Sequence, residues 1–321
     1  MIAQTGIIES APSIPLSDAL ERWRVEARIG AFDTGRYRCR YFVWGRGQPL
    51  IFIHGLADRA RCFVPVIAPL TDSFRCIAYE MPNGDGDGAK LGGVRHVDLV
   101  SDLFALLDHL KCGQSCLYGA SFGGTIALAA LNASPKRFLR AAIQSSFAHR
   151  KLAPMERAMA SLARYWPGQM GELPLARAMQ RRADALAFVS STPEVWAFQR
   201  ANSATTPVRA FAHRALLIAN LDLRPLLPSL AHPIMLLEGD QDTVVGRSCT
   251  DELANGLPHA DRLEFADCGH YAQYTHAAAV AETLRRFLLP PCGLTTTDSP
   301  GPTCQSMQVA DSTCRDHPHV Q

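Results

Sequence analysis

Nowhere in the chain is there a run of about eighteen apolar residues, so no helix is expected to cross a membrane. Strong charge of either sign is missing as well. The net charge is +2, and neither a nucleic acid nor an anionic membrane surface is expected as a partner. The opening stretch, MIAQTGIIESAPSIP, has no Lys or Arg and no apolar leader core, so a secretory signal is not expected and a cytoplasmic protein is. The ten cysteines contain no C-x-x-C pair. A chain of 321 residues can bury a core without staples, so the cysteines read as buried small hydrophobes in a reducing compartment. Cys62 and Cys268 are set apart because each lies close in sequence to a candidate site residue. There is no internal repeat. There is also no metal signature. MPNGDGDGAK, 81 to 90, alternates Asp and Gly but lacks the downstream Glu of a calcium loop, and reads as a turn. Cys314, His317 and His319 near the end have no second ligand pair to close a site. No metal and no other cofactor is expected.

What the chain does have is alternation of apolar strands and helices. The composition, 47% hydrophobic and 19% charged, is that of an ordinary globular protein. RYRCRYFVW, 36 to 44, places Arg36, Arg38 and Arg40 on one face of a strand and Tyr37, Cys39 and Tyr41 on the other. PLIFIHG, FRCIAYE, 115 to 118, LRAAIQSS, PIMLLEGD and RLEFADCGH read as further strands. HVDLVSDLFALLDHL, 96 to 110, and HAAAVAETLRRFLL read as amphipathic helices. This pattern predicts an α/β protein with a mostly parallel twisted sheet, covered by helices on both faces. Residues 147–230 differ. They are rich in Ala, Arg, Leu and Met, broken by prolines, and predict a helical insertion. The expected organisation is an N-terminal arm with one short helix over 1–30, a core over 31–146 and 231–290, the helical cap over 147–230, and a disordered Pro/Thr/Ser tail over 291–321.

One short stretch carries chemistry. LYGASFGG, 117 to 124, places Ser121 between Gly119 and Gly123, after a predicted strand and before the predicted helix TIALAAL. Glycines two positions on either side of a serine suit a strand-to-helix turn so sharp that the flanking elements nearly touch. The turn lifts the hydroxyl off the sheet edge at a helix N-terminus, where free N–H groups favour developing negative charge.

On Gly119-Ala120-Ser121-Phe122-Gly123 and its strand–turn–helix context, the chain resembles the α/β-hydrolases of the serine-nucleophile branch, over about residues 36–290. That resemblance implies Ser121 as nucleophile, followed along the chain by an acid and then a histidine. The histidine it implies is His270 in DCGHYAQYTH, after a strand and before the last helix. EGDQDTVV offers two acids, Asp240 and Asp242. The family commonly places the acid three residues after the strand-ending glycine, here Gly239, which selects Asp242 and leaves Asp240 a turn role. The oxyanion donors would be the backbone N–H of Phe122, next after the nucleophile, and that of Leu56 in HGLADRA. His54 of the H-G pair would hold that loop.

The reaction expected is cleavage of a carboxylic ester or lactone of a small molecule through an acyl-enzyme. GHYAQYTH is also similar to the histidine segment of carbon–carbon bond hydrolases acting on ring-cleavage products. Ala120 before the nucleophile and a first loop less rich in Gly, Ser and Pro depart from that pattern, so this reading stands second. An acyltransferase and a non-catalytic binding protein of the same fold remain as further alternatives. Tyr271, Tyr274, Trp166 and Trp196 are the candidate substrate contacts. The cap arginines, Arg157, Arg164, Arg200, Arg209 and Arg214 among them, read as solvated helix faces, with one of them a candidate partner for a substrate carboxylate.

Overall fold

The seven strands predicted from the sequence, joined by one more at the edge, assemble into one eight-stranded sheet in the computed structural model, which describes residues 14–173 and 192–289. In chain order they are β1 (Arg28–Asp33), β2 (Arg38–Trp44), β3 (Gln48–Ile53), β4 (Phe74–Tyr79), β5 (Ser115–Ala120), β6 (Phe138–Gln144), β7 (Ile234–Gly239) and β8 (Ala260–Phe265). They are ordered β1-β2-β4-β3-β5-β6-β7-β8. β2 runs antiparallel to both of its neighbours, and every other pairing is parallel.

Burial follows position in the sheet. β5 is buried over its whole length, as a central parallel strand covered on both faces must be. β2 alternates at its start, with Arg38 and Arg40 outward and Cys39 inward. Period-2 alternation along β3 sends Ile51 and Ile53 to one face of the sheet and Leu50 and Phe52 to the other. The first face is covered by the helices His96–His109, Phe122–Ala133 and Arg247–Gly256. The second is covered by Ala277–Leu288, the turn Val64–Ile67 and the N-terminal helix Leu16–Glu26. The last sequence helix points Val280, Ala281, Leu284 and Leu288 inward as its periodicity requires.

Two boundaries and one helix differ from the sequence reading. The sheet starts at Arg28 rather than beyond residue 30, because RIGAFD adds an edge strand whose half-exposed residues carry little hydrophobic signal. The helix Arg247–Gly256 between β7 and β8 had no clear apolar stripe, with only Thr250 and Leu253 buried. The insertion closes earlier than expected. The Leu223 N–H donates to the Ala148 carbonyl at 2.9 Å, so chain exit and return sit side by side. Leu227, expected in the cap, packs in the core. Between β6 and β7 the described residues hold the helices Pro154–Ala163, Pro193–Ala204 and Val208–Ala219 and no named strand. The expected tail, 291–321, lies outside the described residues, as do residues 1–13 of the arm. No described helix is long and apolar enough to cross a membrane. In MPNGDGDGAK, Gly84, Gly86 and Gly88 all take positive φ, and Asp87 accepts the N–H groups of Asn83 and Ala89, which is turn chemistry.

Candidate active site

Ser121 occupies the turn between β5 and the helix Phe122–Ala133 with φ 52° and ψ −119°. A non-glycine residue held there stores backbone strain. The neighbours explain how the strain is held. A Cβ on Gly123 would stand 2.0 Å from the Ile53 carbonyl oxygen, and one on Gly119 would stand 2.7 Å from that of Gly123. Only glycine fits either position. The Ser121 N–H donates to the Gln144 carbonyl at 2.8 Å, and the Ser121 carbonyl accepts from the Ser146 hydroxyl at 2.7 Å. The turn is thus clamped to β6.

His270 and Asp242 come together from the loops after β8 and β7. The His270 Nδ1–H donates to Asp242 Oδ2 at 2.9 Å, and both side chains are nearly buried. The other Asp242 oxygen accepts the N–H groups of Val244 and Val245, each at 2.9 Å. Burial pushes the Asp242 carboxyl up. The hydrogen bond and charge of His270, with the two backbone amides, outweigh it and hold the group below the usual carboxylate range. The two loops meet because Gly239 leaves room: a Cβ there would stand 2.1 Å from the Cys268 carbonyl oxygen. Asp240 serves that junction, its Oδ1 accepting the Cys268 N–H at 3.0 Å.

Ser121 and His270 are joined through Gln144 rather than by a hydrogen bond between hydroxyl and imidazole. Gln144 holds the Ser121 N–H by its carbonyl, and its side-chain amide donates to the His270 carbonyl at 3.4 Å. Gln144 lies near the end of LRAAIQSS, which the sequence marks only as a strand.

A second buried carboxylate, unmarked in the sequence, lies near Ser121. A Cβ on Gly55 would lie 3.4 Å from Ser121 Cβ and 3.9 Å from Asp58 Oδ2. Asp58 accepts the Tyr274 hydroxyl at 2.8 Å and the Gln273 amide at 3.2 Å. Gln273 Oε1 accepts from Gln144 at 2.6 Å, and the Tyr118 hydroxyl donates to Gln144 Oε1. Burial raises the Asp58 carboxyl from 3.8 to about 6, against the lowering effect of Tyr274, His270 and Gln273. Between those values the native state holds the proton that the unfolded chain has released, so this group makes stability fall as pH rises from about 4 to about 6. The span corresponds to about 3 kcal/mol. Stability of Asp58→Asn relative to wild type, read from urea midpoints, should therefore improve by that order between pH 4 and pH 7. A difference that does not change with pH would mean that Asp58 is not a buried charge.

The expected substrate contacts divide. Tyr271 packs edge-on against the His270 ring, with centroids 5.2 Å apart. Tyr274 is buried, and its hydroxyl is committed to Asp58. Trp196 is half-buried beneath the Arg200 guanidinium, and Trp166 is exposed. Arg214, expected on a solvated face, is buried and donates to the Leu56 carbonyl at 2.9 Å. The sequence carries no sign of this: an Arg in an Ala/Leu-rich helix reads the same whether it faces solvent or backbone.

His54 is fully buried, with Nδ1–H donating to the Gly55 carbonyl at 2.9 Å and Nε2 accepting the Met81 N–H at 3.2 Å. Burial first, then the nearby Arg214, hold it well below the usual histidine range, so it is neutral. Its bond to Gly55 orients the peptide whose N–H belongs to Leu56. The N–H groups of Leu56 and Phe122 donate to no protein acceptor among the described residues. Cys62 and Cys268 are buried thiols: burial pushes Cys62 well up and Cys268 up to about 12, so neither supplies a thiolate at neutral pH. No cluster of three or more metal-ligating side chains occurs among the described residues.

A family model described as alpha/beta hydrolase fold matches residues 48–277. Among curated proteins, 3-oxoadipate enol-lactonase 2 of Acinetobacter baylyi is 25% identical over 77% of this chain and 93% of its own length. The 2-hydroxymuconate semialdehyde hydrolase of a Pseudomonas strain is 27% identical over 76% of this chain and 88% of its own. Among solved structures, the enol-lactonase from Burkholderia xenovorans LB400 superimposes with a TM-score of 0.71 at 20% identity, covering 81% of this chain and 99% of its own.

Proposed function

The chain belongs to the alpha/beta hydrolase fold family, and we propose that within it the protein is a serine hydrolase that opens a carboxylic ester or lactone of a small molecule. The observation that carries this reading is the Asp242–His270 pair at 2.9 Å, borne on loops zipped together beside a strained serine turn. A carboxylate bound to Nδ1–H fixes the tautomer that leaves Nε2 free to accept a proton.

In the proposed cycle, Ser121 Oγ bonds to the substrate carbonyl carbon while its proton passes to His270 Nε2. The carbonyl oxygen becomes an oxyanion and accepts from the Leu56 and Phe122 N–H groups. The carbon–oxygen bond to the leaving group then breaks, and His270 returns the proton to the departing oxygen. Water completes the cycle: its proton goes to His270, its oxygen bonds to the acyl carbon, and Ser121 leaves with the proton restored. Asp242 stays ionised throughout and stabilises the imidazolium.

The lactone branch is supported by the similarity to two enol-lactonases. The test is a substrate panel of p-nitrophenyl esters, enol-lactones and a ring-cleavage dienoate, run beside labelling with a fluorophosphonate. Labelling of Ser121 with turnover of an ester or lactone is the expected result. Labelling with turnover of the dienoate alone would transfer the protein to carbon–carbon bond hydrolysis. Absence of both labelling and turnover would favour a binding protein.

A further inference from the structure

The carbonyls of Gly55, Leu56 and Ala57, consecutive along the proposed oxyanion loop, each accept a side-chain hydrogen bond. Gly55 takes His54 Nδ1–H at 2.9 Å, Leu56 takes an Arg214 guanidinium N–H at 2.9 Å, and Ala57 takes the Thr206 hydroxyl at 2.7 Å. The last two donors come from the cap insertion. Arg59 answers from the loop, donating to the Thr205 carbonyl at 3.0 Å. Arg214 also reaches the Pro82 carbonyl at 3.3 Å and Asn83 Oδ1 at 2.7 Å, so one planar guanidinium ties the loops after β3 and β4 together.

The bonding is unusual for a cap arginine. Arg214 is 2% exposed, and none of the ion pairs among the described residues includes it. The carboxylate whose charge bears on it most, Glu80, is already bonded to Arg59 Nε at 2.8 Å and to the Ala60 N–H at 3.0 Å. Burial lowers the guanidinium to about 10, which leaves it a cation at neutral pH. A buried charge held mainly by backbone oxygens is costly, and a solvated lysine or an alanine would fill a purely covering helix at less cost.

We propose that Arg214 is a positioning residue through which the cap sets the oxyanion loop: it fixes the Leu56–Ala57 peptide, next along the chain to the Gly55–Leu56 peptide that His54 holds, and puts a buried positive charge on that loop. This rests on the hydrolase reading given above. A loop of this kind has two soft dihedrals per residue, and a misplacement near 1 Å of a transition-state donor costs about a hundredfold in rate. The cap would then be part of the catalytic apparatus as well as a cover.

The experiment compares wild type with Arg214→Met, Arg214→Lys and Thr206→Val, measuring kcat, KM, melting temperature and inhibition by an aryl trifluoromethyl ketone. The ketone reads the oxyanion site directly: Ser121 Oγ bonds to its carbonyl carbon, the proton goes to His270, and the oxygen carries the charge. Arg214→Met is expected to lower kcat about 10- to 100-fold, raise the ketone Ki by the same factor and leave KM within about threefold. Arg214→Lys should recover part of both effects, and Thr206→Val should show a smaller change in the same direction. If Arg214→Met does not fold, the lysine and valine variants carry the same comparison. A lower melting temperature with kcat and ketone Ki unchanged would overturn the proposal and make Arg214 a structural tie only. If the wild type neither turns over an ester or lactone nor binds the ketone, the hydrolase reading falls first and this inference with it. Wild-type adduct formation with unaffected variants sinks this inference alone.

Discussion

Ser121→Ala is expected to reduce turnover of a p-nitrophenyl ester about a million-fold, the scale on which loss of a serine nucleophile acts in such an assembly. Two features of the structure make the effect large. The turn that holds Ser121 presents its side chain alone, because Gly119 and Gly123 are forbidden side chains by contacts of 2.7 Å and 2.0 Å. The nearby thiols cannot replace it, since Cys62 and Cys268 are buried and pushed up by that burial. The fold should survive, because the Ser121 N–H bond to the Gln144 carbonyl and the Ser146 hydroxyl bond to the Ser121 carbonyl do not involve the lost hydroxyl. Unchanged far-UV circular dichroism with lost fluorophosphonate labelling is the expected pair of results. Activity retained within tenfold would mean that the nucleophile lies elsewhere.

Asp242→Asn is expected to lower kcat about ten-thousand-fold at neutral pH, the cost of the wrong histidine tautomer. The amide nitrogen facing His270 would donate where the carboxylate accepts, or the amide would turn and lose the Val244 and Val245 N–H groups. In the first case Nδ1 becomes the acceptor, Nε2 carries the proton, and the imidazole can no longer take one from Ser121. Asp240→Asn makes the control. Its Oδ1 only accepts the Cys268 N–H, which an amide oxygen does equally well, so kcat should stay within a few fold. Steady-state kinetics on the two variants decides the matter, and a large loss at 240 with little at 242 would exchange their roles.

The residues legible in the sequence are those whose chemistry is local. Gly119, Ser121 and Gly123 are read together because a tight strand-to-helix turn excludes side chains within a five-residue window. The apolar runs of β3, β5 and β7 are legible because burial on both faces leaves no room for polar residues. The periodic helices His96–His109 and Ala277–Leu288 show the same locality, with i, i+3 and i+4 contacts written on the chain. Choosing Asp242 over Asp240 needed the family's spacing, since both acids follow the same strand.

Asp58, Gln144, Gln273 and Arg214 were not legible, and they share a cause. Each acts on a partner far along the chain: Asp58 on Tyr274, Gln144 on Ser121 and His270, Gln273 on Asp58, Arg214 on Leu56 and Pro82. A polar residue of this kind looks the same in sequence whether it is solvated or buried, and only packing decides which. Tyr274 shows the same limit from the other side: an aromatic expected at the substrate has its hydroxyl bonded to a buried carboxylate, a partner that the sequence does not mark. The sequence by itself determined the α/β layering and the serine turn, because hydrophobic period and steric exclusion act over a few residues. The tertiary structure alone decided which loops are zipped together, which charges are buried and which cap residues bond the loop after β3, because hydrogen-bond partners and dielectric surroundings exist only after distant segments meet.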